Sequence, residues 1–188
     1  QLEFYISRTD AWAENGDTGG GNHALVKLAK LNVQLSPAPG TATFAQTLNL
    51  HRGEIEITYQ DGSSFLVWVD ANNQVIHVEA DCASAKTLTV AHDFTRQVNA
   101  ADTILNRTAD NEIMWYHRNP SGVASYIKDR TFGAVVKGPG LSSVNTKMLT
   151  SSAGTSHRVD IYPMVTTDVS ADQWETDLDS QVATIDAI

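Results

Sequence analysis

Short runs in which apolar and polar residues alternate, each closed by turn residues after roughly eight to twelve positions, fill the chain to about residue 167. This rhythm restricts the fold more than any single motif does. A period of two sends one side of a run to a core and the other to water, which is the signature of a strand. Leu2 to Ile6 opens the chain in this way. Ala24 to Leu35 then places Leu25, Lys27, Ala29, Leu31, Val33 and Leu35 on one face, until Pro37, Pro39 and Gly40 stop it. Phe44 to Leu50 and the set Ile55, Ile57 and Tyr59 alternate again, and Asp61-Gly62 supplies a tight turn. Phe65 to Val69 is apolar on both faces and reads as a central strand covered on both sides. Val75 to Ala80, Lys86 to Phe94, Glu112 to Arg118, Thr131 to Lys137, Lys147 to Ser151 and His157 to Thr166 complete the set. Asn15 to Asn22 is a turn-rich loop, Asp70 to Asn73 a turn, and residues 95–111 a polar surface loop.

Strands without intervening helices predict an all-β fold, an antiparallel two-sheet sandwich or supersandwich over 1–168. A closed barrel is the alternative. At Ser170 the period changes: Gln173 three residues on gives a capping pattern, and Trp174, Leu178, Val182 and Ile185 follow at helical spacing. Residues 169–188 therefore form a short C-terminal helix. Its apolar stripe must be covered, either by one of the sheets or by a neighbouring domain.

Charge narrows the partners. Against 22 acidic residues stand 13 basic ones, for a net charge of -9 with no basic run, which argues against nucleic acid and against an anionic membrane surface. No apolar stretch has the length of a membrane helix. Cys82, the single cysteine, permits neither an internal disulfide nor a cysteine-based metal cluster. Asn106-Arg107-Thr108 is a glycosylation sequon, making Asn106 a candidate acceptor. The chain begins at Gln1 already in a strand, and reads as trimmed from something longer.

The densest chemistry lies in Trp115-Tyr116-His117-Arg118-Asn119. Aromatic faces stack on pyranose rings, and Arg and Asn supply directed hydrogen bonds to hydroxyls. As a strand, however, the run puts Trp115 and His117 on one side and Tyr116 and Arg118 on the other, an ordinary sandwich pattern. No catalytic constellation stands out: the acids Glu54 and Glu56 share a polar strand face, no Gly-x-Ser-x-Gly elbow occurs, and Gly138-Pro139-Gly140 is not a phosphate loop. His77, Glu79 and Asp81 alternate on one face but bring no identifiable third strand, so neither a metal nor a cofactor is expected.

Several segments resemble a known family. Phe4 to Gly16, including Asp10 and Trp12, Leu25-Val26-Lys27-Leu28 leading to Val33 to Pro37, and Gln46 to Leu50 before Gly53-Glu54-Ile55 are similar to the N-terminal domain of proteins related to glycoside hydrolase family 95. Within these the likeness is to the group described as domain of unknown function 5703. Trp115 to Asn119 and Arg130 to Ala134 continue it in order. The chain departs from the pattern in lacking a Pro-x-Gly-Asn-Gly opening, in Ala29 where a glycine is common, and in the inserted Gly19-Gly20-Gly21. The resemblance implies a supersandwich joined by a helical linker to an α/α toroid that carries the catalytic carboxylates, with α-L-fucosides and α-L-galactosides among the family's substrates. It transfers no acid or base to these residues.

The expected function is thus the non-catalytic sandwich of a secreted carbohydrate-active enzyme, with Asp10, Trp12, Trp115, His117, Arg118 and Asn119 facing carbohydrate or a toroid domain of the same polypeptide. The alternative is a self-contained extracellular lectin-like or self-assembling module, associating through an exposed strand edge.

Overall fold

In the computed structural model, which describes residues 1–14, 23–40, 43–93 and 101–188, the strands are all antiparallel. In chain order they are β1 (Leu2–Glu14), β2 (His23–Ser36), β3 (Phe44–Asn49), β4 (Glu54–Tyr59), β5 (Ser64–Val69) and β6 (Ile76–His92). The second half adds β7 (Thr103–Leu105), β8 (Ile113–Arg118), β9 (Thr131–Lys137), β10 (Leu141–Asn145), β11 (Met148–Ser151), β12 (Gly154–Thr166) and the helix α1 (Ala171–Asp186).

Two sheets result. The smaller runs β1-β2-β6-β11-β10, and the larger runs β3-β4-β5-β6-β12-β9-β8-β7. Both contain β6, because the two expected strands Val75 to Ala80 and Lys86 to Phe94 are one continuous strand. Its first half, Ile76 to Asp81, pairs with β5 and β12 in the larger sheet, and Thr87 to His92 pairs with β2 in the smaller. Lys86, at the change of sheet, is buried and held by the Asp61 carboxylate at 3.1 Å and the Pro37 carbonyl at 3.1 Å. The inner faces close on Ile6, Leu28, Leu31, Phe65, Val78, Leu88, Trp115, Phe132 and Ile161. This is a sandwich, as the alternation predicts.

Three local expectations change. The face of β2 is not continuous: Ile6 pairs with Ala29 but Ser7 with Lys27, so Leu28 is an extra residue. This bulge buries Leu28 and Ala29 together and turns Leu25 and Lys27 outward. The 95–111 region is not wholly loop: Thr103 to Leu105 pairs with β8, and Thr108 to Asp110 makes one 3-10 turn, while residues 95–100 lie outside the described residues. Finally, β5 is central in its sheet, but its outer face is only partly covered, with Leu66 and Trp68 half-buried.

The helix packs on the outer face of the larger sheet. Ser170 caps it, accepting the Gln173 backbone N–H at 3.1 Å. Trp174, Leu178 and Val182 are buried against Met114, Val135 and Tyr162. Of the two covers predicted for the stripe, the sheet is the one used. It also explains why β8 and β9 are apolar on both sides, since the inner sides meet the other sheet and the outer sides meet α1.

Candidate functional site

The residues of the aromatic run separate by face. Trp115 is 0% exposed, its indole N–H donating to the Leu28 carbonyl at 3.1 Å and its ring 4.6 Å from that of His92. His117 packs on Phe132 with centroids 5.0 Å apart, and its Nδ1 lies 3.3 Å from the Asp102 carboxylate. Both are inner-face core groups, so no ring face of Trp115 or His117 remains for a pyranose. The expectation that these two meet a ligand directly is corrected: the alternation was right, but the inner face is covered.

Asp10, Trp12 and Asn119 do come together, as a clamp. The Asn119 amide donates to the Trp12 and Ile127 carbonyls, both at 2.8 Å, and Arg130 Nη1 donates to the Asp10 carbonyl at 2.8 Å. Arg8 grips both Asp10 carboxylate oxygens, at 2.9 and 2.8 Å, and with burial opposing, this pair holds the Asp10 carboxyl below its usual range. The Trp12 indole donates to the Thr9 carbonyl at 3.0 Å. Nearby, Arg118 Nη1 donates to the Asp129 and Val169 carbonyls at 2.9 and 2.7 Å and to Thr131 Oγ1 at 2.6 Å, anchoring the approach to α1. These polar groups fix the irregular end of β1 against the β8–β9 connection, and their hydrogen bonds are directed into the fold. Asn106 is exposed, its Oδ1 accepting from the Thr108 hydroxyl at 2.8 Å.

A different set of groups lies on the outer side of the larger sheet, where His77 and Asp160 are themselves buried and Arg158 is exposed. Across the larger sheet the register aligns Glu54 with Trp68, Trp68 with His77, His77 with Asp160, and Asp160 with Lys137. Directly paired residues share a face, so these form one row on the outer side. The adjacent row brings Glu79 beside Arg158. Trp68 is half-buried, with its ring 4.1 Å from the His77 ring, and its indole N–H reaches Glu79 Oε1 at 3.4 Å. Asp160 Oδ1 sits 2.5 Å from His77 Nδ1 and accepts from Arg158 Nε at 2.6 Å. Arg158 Nη2 also approaches His77 Nδ1, at 3.1 Å.

Beside this row the C-terminal end of α1 walls a hollow of about 450 Å³, lined by Lys137, Pro139, Arg158, Asp160, Tyr162 and Asp186 among others. The Tyr162 hydroxyl donates to Asp186 Oδ1 at 2.5 Å, and Lys137 Nζ lies 3.0 Å from Asp186 Oδ2 and 3.6 Å from Glu112. Burial and then the Asp186 contact push the Tyr162 phenol well above its ordinary range. Burial raises the Asp186 carboxyl, but the hydrogen bonds from Tyr162 and Lys137 outweigh it and leave the group lowered. A glycosidase acid needs the reverse.

Among the described residues no three His, Cys, Asp or Glu side chains gather around a metal position, and His77, Glu79 and Asp81 share their face without converging. A second depression of about 340 Å³ lies along the Asp70 to Gln74 turn beside Arg8, whose Nη1 is already given to Gln74 and the Pro163 carbonyl.

Fold and face together define a two-sheet β-sandwich domain whose larger sheet carries on its outer side the Trp68 to Lys137 row and, adjoining it beside α1, the polar hollow, together a trough. The chain belongs to the family described as Domain of unknown function (DUF5703), which it matches over residues 1–107. No curated protein matches the sequence. The matched part includes Trp68 and His77 but not Lys137, Arg158 or Asp160, so the trough straddles the limit of the match.

Proposed function

We propose that this domain is the non-catalytic β-sandwich part of a secreted carbohydrate-active enzyme similar to glycoside hydrolase family 95. It holds glycan on the outer face of the larger sheet, while bond cleavage belongs to another domain, an α/α toroid. The observation that supports this reading is the row of Trp68, His77 and Asp160 flanked by Glu79 and Arg158. It sets an aromatic surface among fixed, charge-assisted hydrogen-bonding groups. The test is a titration of the protein with a glycan panel, followed by amide chemical shifts. Binding should perturb β5, β6 and β12, and Trp68→Ala and Arg158→Ala should each weaken it at least tenfold while circular dichroism stays unchanged. A panel that perturbs none of these strands overturns the reading.

One observation favours a second reading, a self-assembling module. β3 ends the larger sheet with no charged residue along it, and with Phe44 and Leu48 64% and 60% exposed. A concentration-independent monomer mass by light scattering would remove it.

A further inference from the structure

The trough's charges are matched in pairs, and this bears on what kind of glycan it takes. The inference rests on the reading of that face as a glycan site. We propose that it selects uncharged, hydroxyl-rich oligosaccharides of two or more units, one unit on Trp68 and the next in the hollow beside α1, and discriminates against uronate and sulfated sugars.

Each cation of the trough already has a carboxylate on it. Arg158 is engaged by Asp160 at 2.6 Å, and Lys137 by Asp186 at 3.0 Å with Glu112 at 3.6 Å. Counting Glu79, carboxylates outnumber cations along this face, and the whole chain carries a net charge of -9. A sulfate or uronate would enter a repulsive field and find no free partner. What the paired ions retain is directional capacity. Arg158 is exposed and keeps N–H groups beyond the Nε given to Asp160 and the Nη2 turned to His77 Nδ1. Neutral hydroxyls, which donate and accept together, fit such a surface without disturbing its charge balance.

The length requirement follows from the sheet. Trp68 and Asp160 lie two strands apart in register, a span of about 9.5 Å. One pyranose does not cover both the ring and the hollow.

The test is calorimetric titration of the protein with two series of one to four units each: neutral hexose and deoxyhexose oligomers, and oligogalacturonates. These are run at low and high salt, with amide shifts locating the binding. The expected result is that neutral oligomers bind on β5, β6 and β12 with little salt dependence, and that affinity rises at least tenfold from one unit to two. Trp68→Ala should flatten that rise, and Asp186→Asn, which leaves Lys137 with only Glu112 at 3.6 Å, should bring in oligogalacturonate binding that the native protein lacks. Tighter binding of oligogalacturonates on this face, or neutral binding that falls steeply with salt, overturns the selectivity and leaves the glycan site standing. Absence of binding in every series overturns both.

Discussion

Asn119 satisfies two main-chain carbonyls, those of Trp12 and Ile127, with one amide. In Asn119→Ala both are left without a donor in a buried corner, an expected loss of about 2–3 kcal/mol. Thermal denaturation should show a fall in midpoint of roughly 4–12 °C. Gly133 is more restrictive. A Cβ there would stand 2.0 Å from the Trp115 carbonyl oxygen and 2.7 Å from the Tyr116 Cα, both backbone atoms that cannot turn aside. Gly133→Ala should therefore destabilise by more than about 3 kcal/mol or fail to yield folded protein, and a variant melting like the native chain would contradict this contact. Glu112 shows the opposite sign. Burial is the main cause of its raised carboxyl pKa, against the lowering influence of Lys137 and Arg107. A group raised in the folded state binds protons more readily there, so its contribution to stability falls as pH rises through the folded pKa. Glu112→Gln should raise the midpoint near pH 7 by roughly 1–3 °C and reduce the gain native protein shows on going down toward pH 5. At this scale the sequence disclosed which residues share a face but not which faces are covered. Trp115 and Trp68 read alike as strand aromatics, and only the second sheet, which buries one and not the other, separates them. The row from Trp68 to Lys137 was equally hidden, because it depends on the register of four strands that are distant in sequence.

The elements differ in how plainly they announce themselves. α1 was legible down to its cap, because Ser170, Gln173 and the Trp174, Leu178, Val182 spacing are local signals. Its packing gives it a larger energetic weight than its cap: Trp174→Ala should cost about 3–5 kcal/mol, whereas Ser170→Ala should cost about 0.5–2 kcal/mol. Loss of helical circular dichroism with retention of the β signal in Trp174→Ala would show the helix detaching from an intact sandwich. β10 went unread because Leu141-Ser-Ser-Val-Asn has too little apolar alternation, and its hairpin with β11 is what makes it a strand. The bulge at Leu28 was invisible for a related reason. An extra residue changes the phase of alternation without changing its composition, so Leu25 and Lys27 seemed to share a face with Leu31 and Val33.

For the molecule as a whole, the family match and the folding unit have different limits. Residues 1–107 contain the whole of β6 but none of β8, β9, β11 or β12. Cutting there removes the β6 partners in β11 and β12 and the core groups Trp115, Phe132 and Ile161. The fragment 1–107 should lack a cooperative thermal transition, whereas the full chain should show one. Continuity of β6 between the two sheets has a kinetic consequence as well. A strand that cannot open at one end without loosening the other makes both sheets one unit of amide exchange. Ligand bound at Trp68 and His77, at about ten times its dissociation constant, should slow exchange about tenfold not only beneath the ligand but also at Thr87 to His92 in the opposite sheet. The protection of amides that no ligand touches then becomes a readout of occupancy.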